Sequence, residues 1–358
     1  MNLREHVPLA PLTTLGLGGP ARWLAECRGE AHVREALAFA DERALPVFVL
    51  GGGSNVVVAD AGFPGLVLQV AIGGTEWGPE SAGLVHVAAG AGVRWDDLVA
   101  GAVARGLQGL ECLSGIPGTV GGTPIQNVGA YGQEVAERIA EVACLDRASR
   151  TSVAFSAGEC RFAYRRSRFK REDAGRFVVL GVTFALRADE RPALRYPELE
   201  KLVAAAGPLD ALSATEALGR VREAVLSVRR GKSMVFDPAD PDARSVGSFF
   251  TNPIVTAGAF AVLSRSWAEA GGGAVPSYPD AEGVKVPAAW LVEQAGFPRG
   301  TRRRGAAVSA KHALALVNAG GTTADLLALA EEIEGAVRER FGLRLEREPV
   351  VVGAWSAA

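Results

Sequence analysis

The chain has 358 residues, which is too long for one ordinary core and suits two or three domains. Apolar residues make up 48%, and 38 Lys and Arg stand against 40 Asp and Glu for a net charge of −2. This balance excludes a disordered chain and a disulfide scaffold, and it leaves no global attraction to nucleic acid or anionic lipid, so any anionic ligand must be gripped by local donors. Glycine is the outlier, with 44 residues against a typical usage of roughly 7%.

Residues 30 to 45 place Val33, Ala36, Leu37 and Ala40 on one helical face, and Pro46 forces a break. A strand over 46–50 follows, then Gly51-Gly52-Gly53-Ser54-Asn55, then the β-branched run at 56–58, so the glycine loop joins strand to strand. Strands are expected at 66–71 and 84–90, and a helix at 94–106 closed by Gly106. Between Gly109 and Gly132 lie 24 residues with seven glycines, two prolines and no sustained periodicity. Loops of that length are functional or disordered, and the apolar Ile116, Val120, Ile125, Val128 and Tyr131 favour an ordered, ligand-wrapping loop.

Further strands are expected at 139–146 and 176–186, then a helix at 215–228 introduced by Ser213 and Glu216 as a capping box. A Pro, Asp and Gly-rich stretch marks a domain edge near residue 230. Beyond it, 248–255 reads as a strand, 287–296 as a short helix with Pro in its first turn, the run from Thr322 to Gly342 as an amphipathic helix, and 349–353 as a final strand. The four cysteines form no C-x-x-C pair and the four histidines are dispersed, so no metal cluster is expected. No signal peptide or membrane span is expected either, and the composition suits a soluble cytoplasmic protein.

A dinucleotide fingerprint of the doubly wound kind is a poor fit. Its best candidate, Gly90-Ala91-Gly92, has Trp95 where a third glycine would permit close helix packing. A glycine run between strands can still bind phosphate by turning successive N–H groups inward, although a tight hairpin explains Gly51 to Gly53 nearly as well. The second glycine loop favours an extended ligand. The run from Cys160 to Lys170 interleaves aromatics with cations, and an exposed basic strand edge is its plain alternative.

GGGSNVVV (51–58), GIPGTVGGTPIQNVGAYG (115–132), CRFAYRRSRFK (160–170), GSFFTNP (247–253), AAVSAKHALALVN (306–318) and LEREP (345–349) together resemble the UDP-N-acetylenolpyruvoylglucosamine reductase family, in order over essentially the whole chain. The resemblance implies an α+β fold with a two-lobed FAD-binding region of the vanillyl-alcohol oxidase type and a C-terminal substrate domain. The implied division is 1–70 for the first lobe, joined by the C-terminal strand 347–358, then 71–228 for the second lobe and 229–346 for the substrate domain. Non-covalent FAD is implied along Leu50, Gly51, Gly52, Gly53, Ser54, Asn55 and Val56, and along Ile116, Pro117, Val120, Gly121, Gly122, Ile125, Asn127, Gly129 and Ala130, with Val179 meeting the flavin or simply packing the core.

The implied reaction passes a hydride from NADPH to FAD and then to the enolpyruvyl group of the UDP-sugar, for peptidoglycan precursor synthesis. Arg165 matches the carboxylate-polarising arginine, Ser248 the proton donor and Glu348 the catalytic acid. The order Glu-Arg-Glu-Pro leaves Glu346 as an alternative to Glu348. Tyr131, Tyr164, Tyr196, Lys232, Asn252 and His312 match substrate-contact positions. A monomer is expected, with no nucleic-acid or membrane partner and no metal. The alternatives are another FAD-dependent oxidoreductase with a different substrate, and a non-catalytic flavin or nucleotide-binding regulator.

Overall fold

Residues 1–353 are described in a computed structural model of the chain, whose path alternates between two units. The first comprises Met1–Val7, Pro20–Gly53 and Phe63–Val235, and the second comprises Pro8–Gly19, Ser54–Gly62 and the described residues from Phe236 onward. The Pro, Asp and Gly-rich stretch thus contains the change of unit at Val235 and Phe236. The strand Val350–Val352 runs parallel to Val56–Val58, and both belong to the second unit.

Among the described residues the first unit contains a two-stranded sheet, Gly129–Ala130 with Gln133–Glu134, and two large sheets. One has the strand order Asn2–Pro8, Pro20–Cys27, Phe63–Val70, Val47–Leu50, and its central strand pairs in parallel on both sides. Helix Glu30–Glu42 makes the crossover, burying Val33, Ala36, Leu37 and Ala40 as their spacing requires. The other sheet is antiparallel, ordered Ser152–Ser156, Ile139–Asp146, Phe177–Ala188, Leu84–Gly90, Thr75–Ser81, with Leu107–Gln108 pairing the end of the long strand. The Gly90 turn therefore leaves an antiparallel strand, so the helix after it is no parallel crossover of the doubly wound kind.

That helix is Trp95–Val103, shorter than the expected 94–106. Ala104 caps it in right-handed geometry, and Gly106, at φ +69, turns the chain after the helix has ended. Trp95 is fully buried and packs on Phe184 with ring centroids 5.8 Å apart, in one apolar core that includes Val87, Val99, Leu113, Val142 and Val182. Helix Ala214–Gly231 begins with the reciprocal capping box of Ser213 and Glu216 and runs nearly a turn beyond the expected end.

In the second unit a sheet ordered Ser245–Ser248, Ala315–Asn318, Ala306–Val308, Arg302–Arg303 packs against helix Thr323–Phe341, which ends on left-handed Gly342 at φ +68. The segment 248–255 is not one strand. Pairing stops at Ser248, resumes in a single bridge between Phe250 and Arg347, and restarts at Ile254–Val255, because Pro253 lacks an N–H and the register already shifts between Ser245 and Ser248. Pro287 is the N-cap of helix Ala288–Gln294, one position earlier than its expected place inside the first turn.

Candidate active site

The two glycine loops meet backbone to backbone within the first unit. A Cβ on Gly52 would lie 2.6 Å from Gly118 Cα, and one on Gly51 would lie 3.0 Å from Thr119 Oγ1. Gly53 and Gly118 have φ of +64 and +124, which side chains disfavour. Among the described residues, no protein acceptor takes the N–H of Gly52, Gly53, Ile116, Gly118 or Thr119. Clustered, unsatisfied amides with no Cβ in the way are a cradle for an anionic group such as a pyrophosphate. A Cβ on Gly122, by contrast, would meet nothing within 4 Å.

The second loop is fastened by side chains. Asn127 is buried at φ +48; its Nδ2 donates to Glu134 Oε2 at 2.7 Å and to the Ala163 carbonyl at 3.1 Å, and its Oδ1 accepts from the Ala136 amide at 3.1 Å. Asn127 therefore ties the loop to the segment carrying Arg165, and its side chain is committed to protein. Glu111, wholly buried, accepts from the Gly109 amide at 2.7 Å and from Gln133 Nε2 at 3.4 Å. Ser167 donates to the Ile125 carbonyl.

Arg165 sits at the tip of a tight turn closed by Ala163 and Arg166, whose amides and carbonyls bond reciprocally at 3.1 and 3.0 Å. The run from Cys160 to Lys170 is therefore a series of turns and not a strand edge. Arg165 has φ +54, and its Nη2 donates to the Gly129 carbonyl at 2.8 Å, with Nη1 at 3.4 Å from that of Asn127. Its guanidinium carbon lies 5.3 Å from the Tyr164 ring centre. The turn thus fixes the guanidinium plane against the glycine loop, an orientation suited to a carboxylate.

Tyr131, at φ +51, packs edge-on against Tyr196 with centroids 5.3 Å apart, and Tyr196 precedes helix Pro197–Ala205. Lys232 caps helix Ala214–Gly231 and pairs with Glu198 at 3.1 Å. Arg229 completes this group. It is 9% exposed, donates from Nη2 to the Met234 carbonyl at 2.6 Å, and its buried Nε has no hydrogen-bond partner among the described residues. Burial lowers the Arg229 pKa and raises that of Tyr131, while each favours the other's charged form. Arg229 was legible, since Leu218, Val221 and Val225 define the buried stripe and Arg229 is the next position along it.

In the second unit the Ser248 strand and the chain terminus are stitched together. The Phe249 carbonyl accepts from the Glu348 amide at 2.9 Å, and the Thr251 amide donates to the Glu346 carbonyl at 3.0 Å. Asn55 Nδ2 donates to the Glu348 carbonyl at 3.3 Å. Arg347 turns the other way and grips Glu334 with both carboxylate oxygens, at 2.6 and 3.0 Å. Glu348 is buried and Glu346 is exposed. Ser248 is half-buried and follows Gly247 at φ +74. Asn252 Oδ1 accepts from the Ala288 amide at 2.8 Å, and His312 Nδ1 accepts from the Leu314 amide at 3.2 Å. Leu50, Val120 and Val179 are buried apolar residues, the last two in the core of the first unit.

Residues 238–352 match the UDP-N-acetylenolpyruvoylglucosamine reductase C-terminal domain, and residues 21–151 match an FAD binding domain. The reductase of that name from Thermobifida fusca (strain YX) is 49% identical over 98% of this chain and 98% of its own. This chain belongs to the UDP-N-acetylenolpyruvoylglucosamine reductase family. The Nocardia farcinica (strain IFM 10152) reductase is likewise 49% identical, over 98% of this chain and 90% of its own. The crystal structure of the Thermus caldophilus reductase matches 98% of this chain and 100% of that one with a TM-score of 0.65 at 26% identity.

The protein is accordingly a flavin-dependent oxidoreductase with an α+β fold. The cradle of open amides fits FAD, and the residues that could hold it are Gly51 to Gly53 and Ile116 to Thr119 of the first unit. Among the described residues, no group of three or more His, Cys, Asp and Glu could hold a metal ion, and no helix is long and apolar enough to cross a membrane.

Proposed function

We propose that the enzyme reduces the enolpyruvyl group of UDP-N-acetylglucosamine enolpyruvate to give UDP-N-acetylmuramate, with NADPH as electron donor and non-covalent FAD. In this reading 1–70, joined by 347–358, of which 354–358 lie outside the described residues, is the first FAD-binding lobe, 71–228 is the second, and 229–346 binds the UDP-sugar. The reaction serves peptidoglycan precursor synthesis in the cytoplasm. The observation that supports the reading is the backbone stitch just after Ser248, where the Phe249 carbonyl accepts from the amide of buried Glu348. A core of this kind has no packing need for a carboxylate at that register.

Bound FAD supplies the hydride transfer between nicotinamide and substrate. Hydride addition at the substrate's methylene carbon leaves negative charge on the adjacent carbon and its carboxylate. Arg165, held by the Gly129 and Asn127 carbonyls, is oriented to stabilise that charge without reorganising. Ser248 then gives its hydroxyl proton to the carbon, a transfer that the developing enolate makes feasible for so weak an acid. Glu348 supports the same proton and charge balance. Tyr131, Tyr164, Tyr196, Lys232, Asn252 and His312 bind the nucleotide and sugar.

Ser248→Ala tests this assignment. Flavin reduction by NADPH should proceed at the wild-type rate, while product formation falls by about 10²- to 10⁴-fold, the usual worth of a positioned general acid. Full turnover in the variant would remove Ser248 from the chemistry.

A further inference from the structure

The second glycine loop is gripped from outside by two consecutive residues at the start of helix Trp95–Val103. Trp95 donates from its amide to the Gly118 carbonyl at 3.1 Å and from Nε1 to the Leu113 carbonyl at 3.0 Å. Asp96 Oδ1 accepts from the Gly115 amide at 2.6 Å. These bonds fasten positions 113, 115 and 118 and leave Ile116 and Pro117 between them. Asp96 is itself held by a two-pronged ion pair with Arg222 of helix Ala214–Gly231, with Nη1 to Oδ1 and Nη2 to Oδ2 both at 2.7 Å.

Gly115 explains why the fastening needs a carboxylate. It is buried at φ +71, and a Cβ there would strike Leu226 Cδ2 at 2.7 Å, so the loop is pressed onto the helix that carries Arg222. Its N–H faces inward, away from water, and must find an acceptor within the protein. A carboxylate already oriented by a guanidinium fork provides one at fixed geometry. The next residue, Ile116, begins the run of unsatisfied amides on the ligand-facing side.

We infer that Asp96 and Arg222 are positioning residues for the flavin: their ion pair sets the Gly115 backbone, and through it the direction of the open amides from Ile116 to Thr119. The inference rests on the FAD-holding role of this loop. It makes affinity for FAD depend on a charge pair that acts through the Gly115 backbone.

The test is FAD binding to purified apoprotein, followed by flavin fluorescence, with thermal unfolding of the apo and reconstituted forms. Asp96→Ala is expected to weaken FAD about tenfold or more, the worth of a hydrogen bond to a charged group. Asp96→Asn, which keeps an oxygen for Gly115 and loses the charge for Arg222, should lie between that variant and wild type. If Asp96→Ala does not fold, Asp96→Asn and Arg222→Lys carry the test, each with a smaller loss of affinity. Asp97→Asn, at an exposed neighbour that lies 3.8 Å from Arg94 and acts on Arg222 only through a longer-range charge interaction, should bind nearly as wild type does.

The increment that FAD adds to Tm separates positioning from mere stability. Positioning requires it to shrink in the clamp variants. Equal falls of apo and holo Tm, with unchanged FAD affinity, would overturn the inference. Failure of the wild-type apoprotein to take up FAD would instead sink the reading on which it rests.

Discussion

The two glycine loops solve one problem by opposite means. Gly51 to Gly53 contains no side chain, and its conformation follows from lying against the Gly118 backbone at a distance no Cβ tolerates. The loop from Gly115 to Tyr131 is longer and would be floppy if glycine alone defined it, and it is pinned by polar side chains: Asp96 and Ser167 from outside it, and its own buried Asn127, which reaches the Ala163 carbonyl. A short loop can be specified by what it lacks. A long one needs partners, because each ordered residue costs roughly 1–2 kcal/mol of backbone entropy.

The largest way to break this contrast is Gly52→Ala. The new methyl would meet Gly118 Cα at 2.6 Å, its carbonyl carbon at 2.9 Å and the Thr119 amide at 3.1 Å, all backbone atoms with no flexible end to yield. Overpacking of that kind costs about 1–3 kcal/mol, so FAD affinity in reconstitution should fall roughly tenfold to a hundredfold. Gly122→Ala, which meets no protein atom within 4 Å, should leave the apoprotein's Tm unchanged. Equal behaviour of the two variants would show that the loops do not define each other.

A smaller effect sharpens the other side of the contrast. Cys112 lies at the edge of the pinned loop, and burial, aided by nearby Glu111, pushes its thiol up to about 12. Cys27 and Cys144 are likewise raised to about 12, and Cys160 to about 11. The folded values lie above the ordinary 9.0, so the thiols stay protonated in the folded state, and their contribution to stability is complete below that value and lost as pH rises past it. Native protein at pH 8 should resist alkylation by iodoacetamide, whereas unfolded protein reacts at all four cysteines. Rapid labelling of Cys112 in the folded enzyme would mean that the loop edge opens.

What could be read from the sequence followed local rules. The Ser213 and Glu216 box, the left-handed stop at Gly342 and the burial of Val33, Ala36, Leu37 and Ala40 each depend on neighbours within a helical turn or two. The glycine loops were visible for a similar reason, since backbone approach leaves its mark in composition. Asp96 with Arg222 was not, because the partners stand 126 residues apart and neither has an unusual local context. The strand expected over 248–255 failed where a register shift and Pro253 interrupt pairing, a tertiary feature that β propensity in SFFTNP does not report. That Glu348 is buried and Glu346 exposed likewise follows from the register of the terminal segment against Phe249 and Thr251, which local sequence does not report.

The most direct test of the account is an anaerobic titration of the yellow holoenzyme. NADPH should bleach the visible flavin band, and one equivalent of UDP-N-acetylglucosamine enolpyruvate should then restore it with formation of UDP-N-acetylmuramate. A flavin that stays oxidised under NADPH, or that stays bleached when the enolpyruvyl sugar is added, would contradict it.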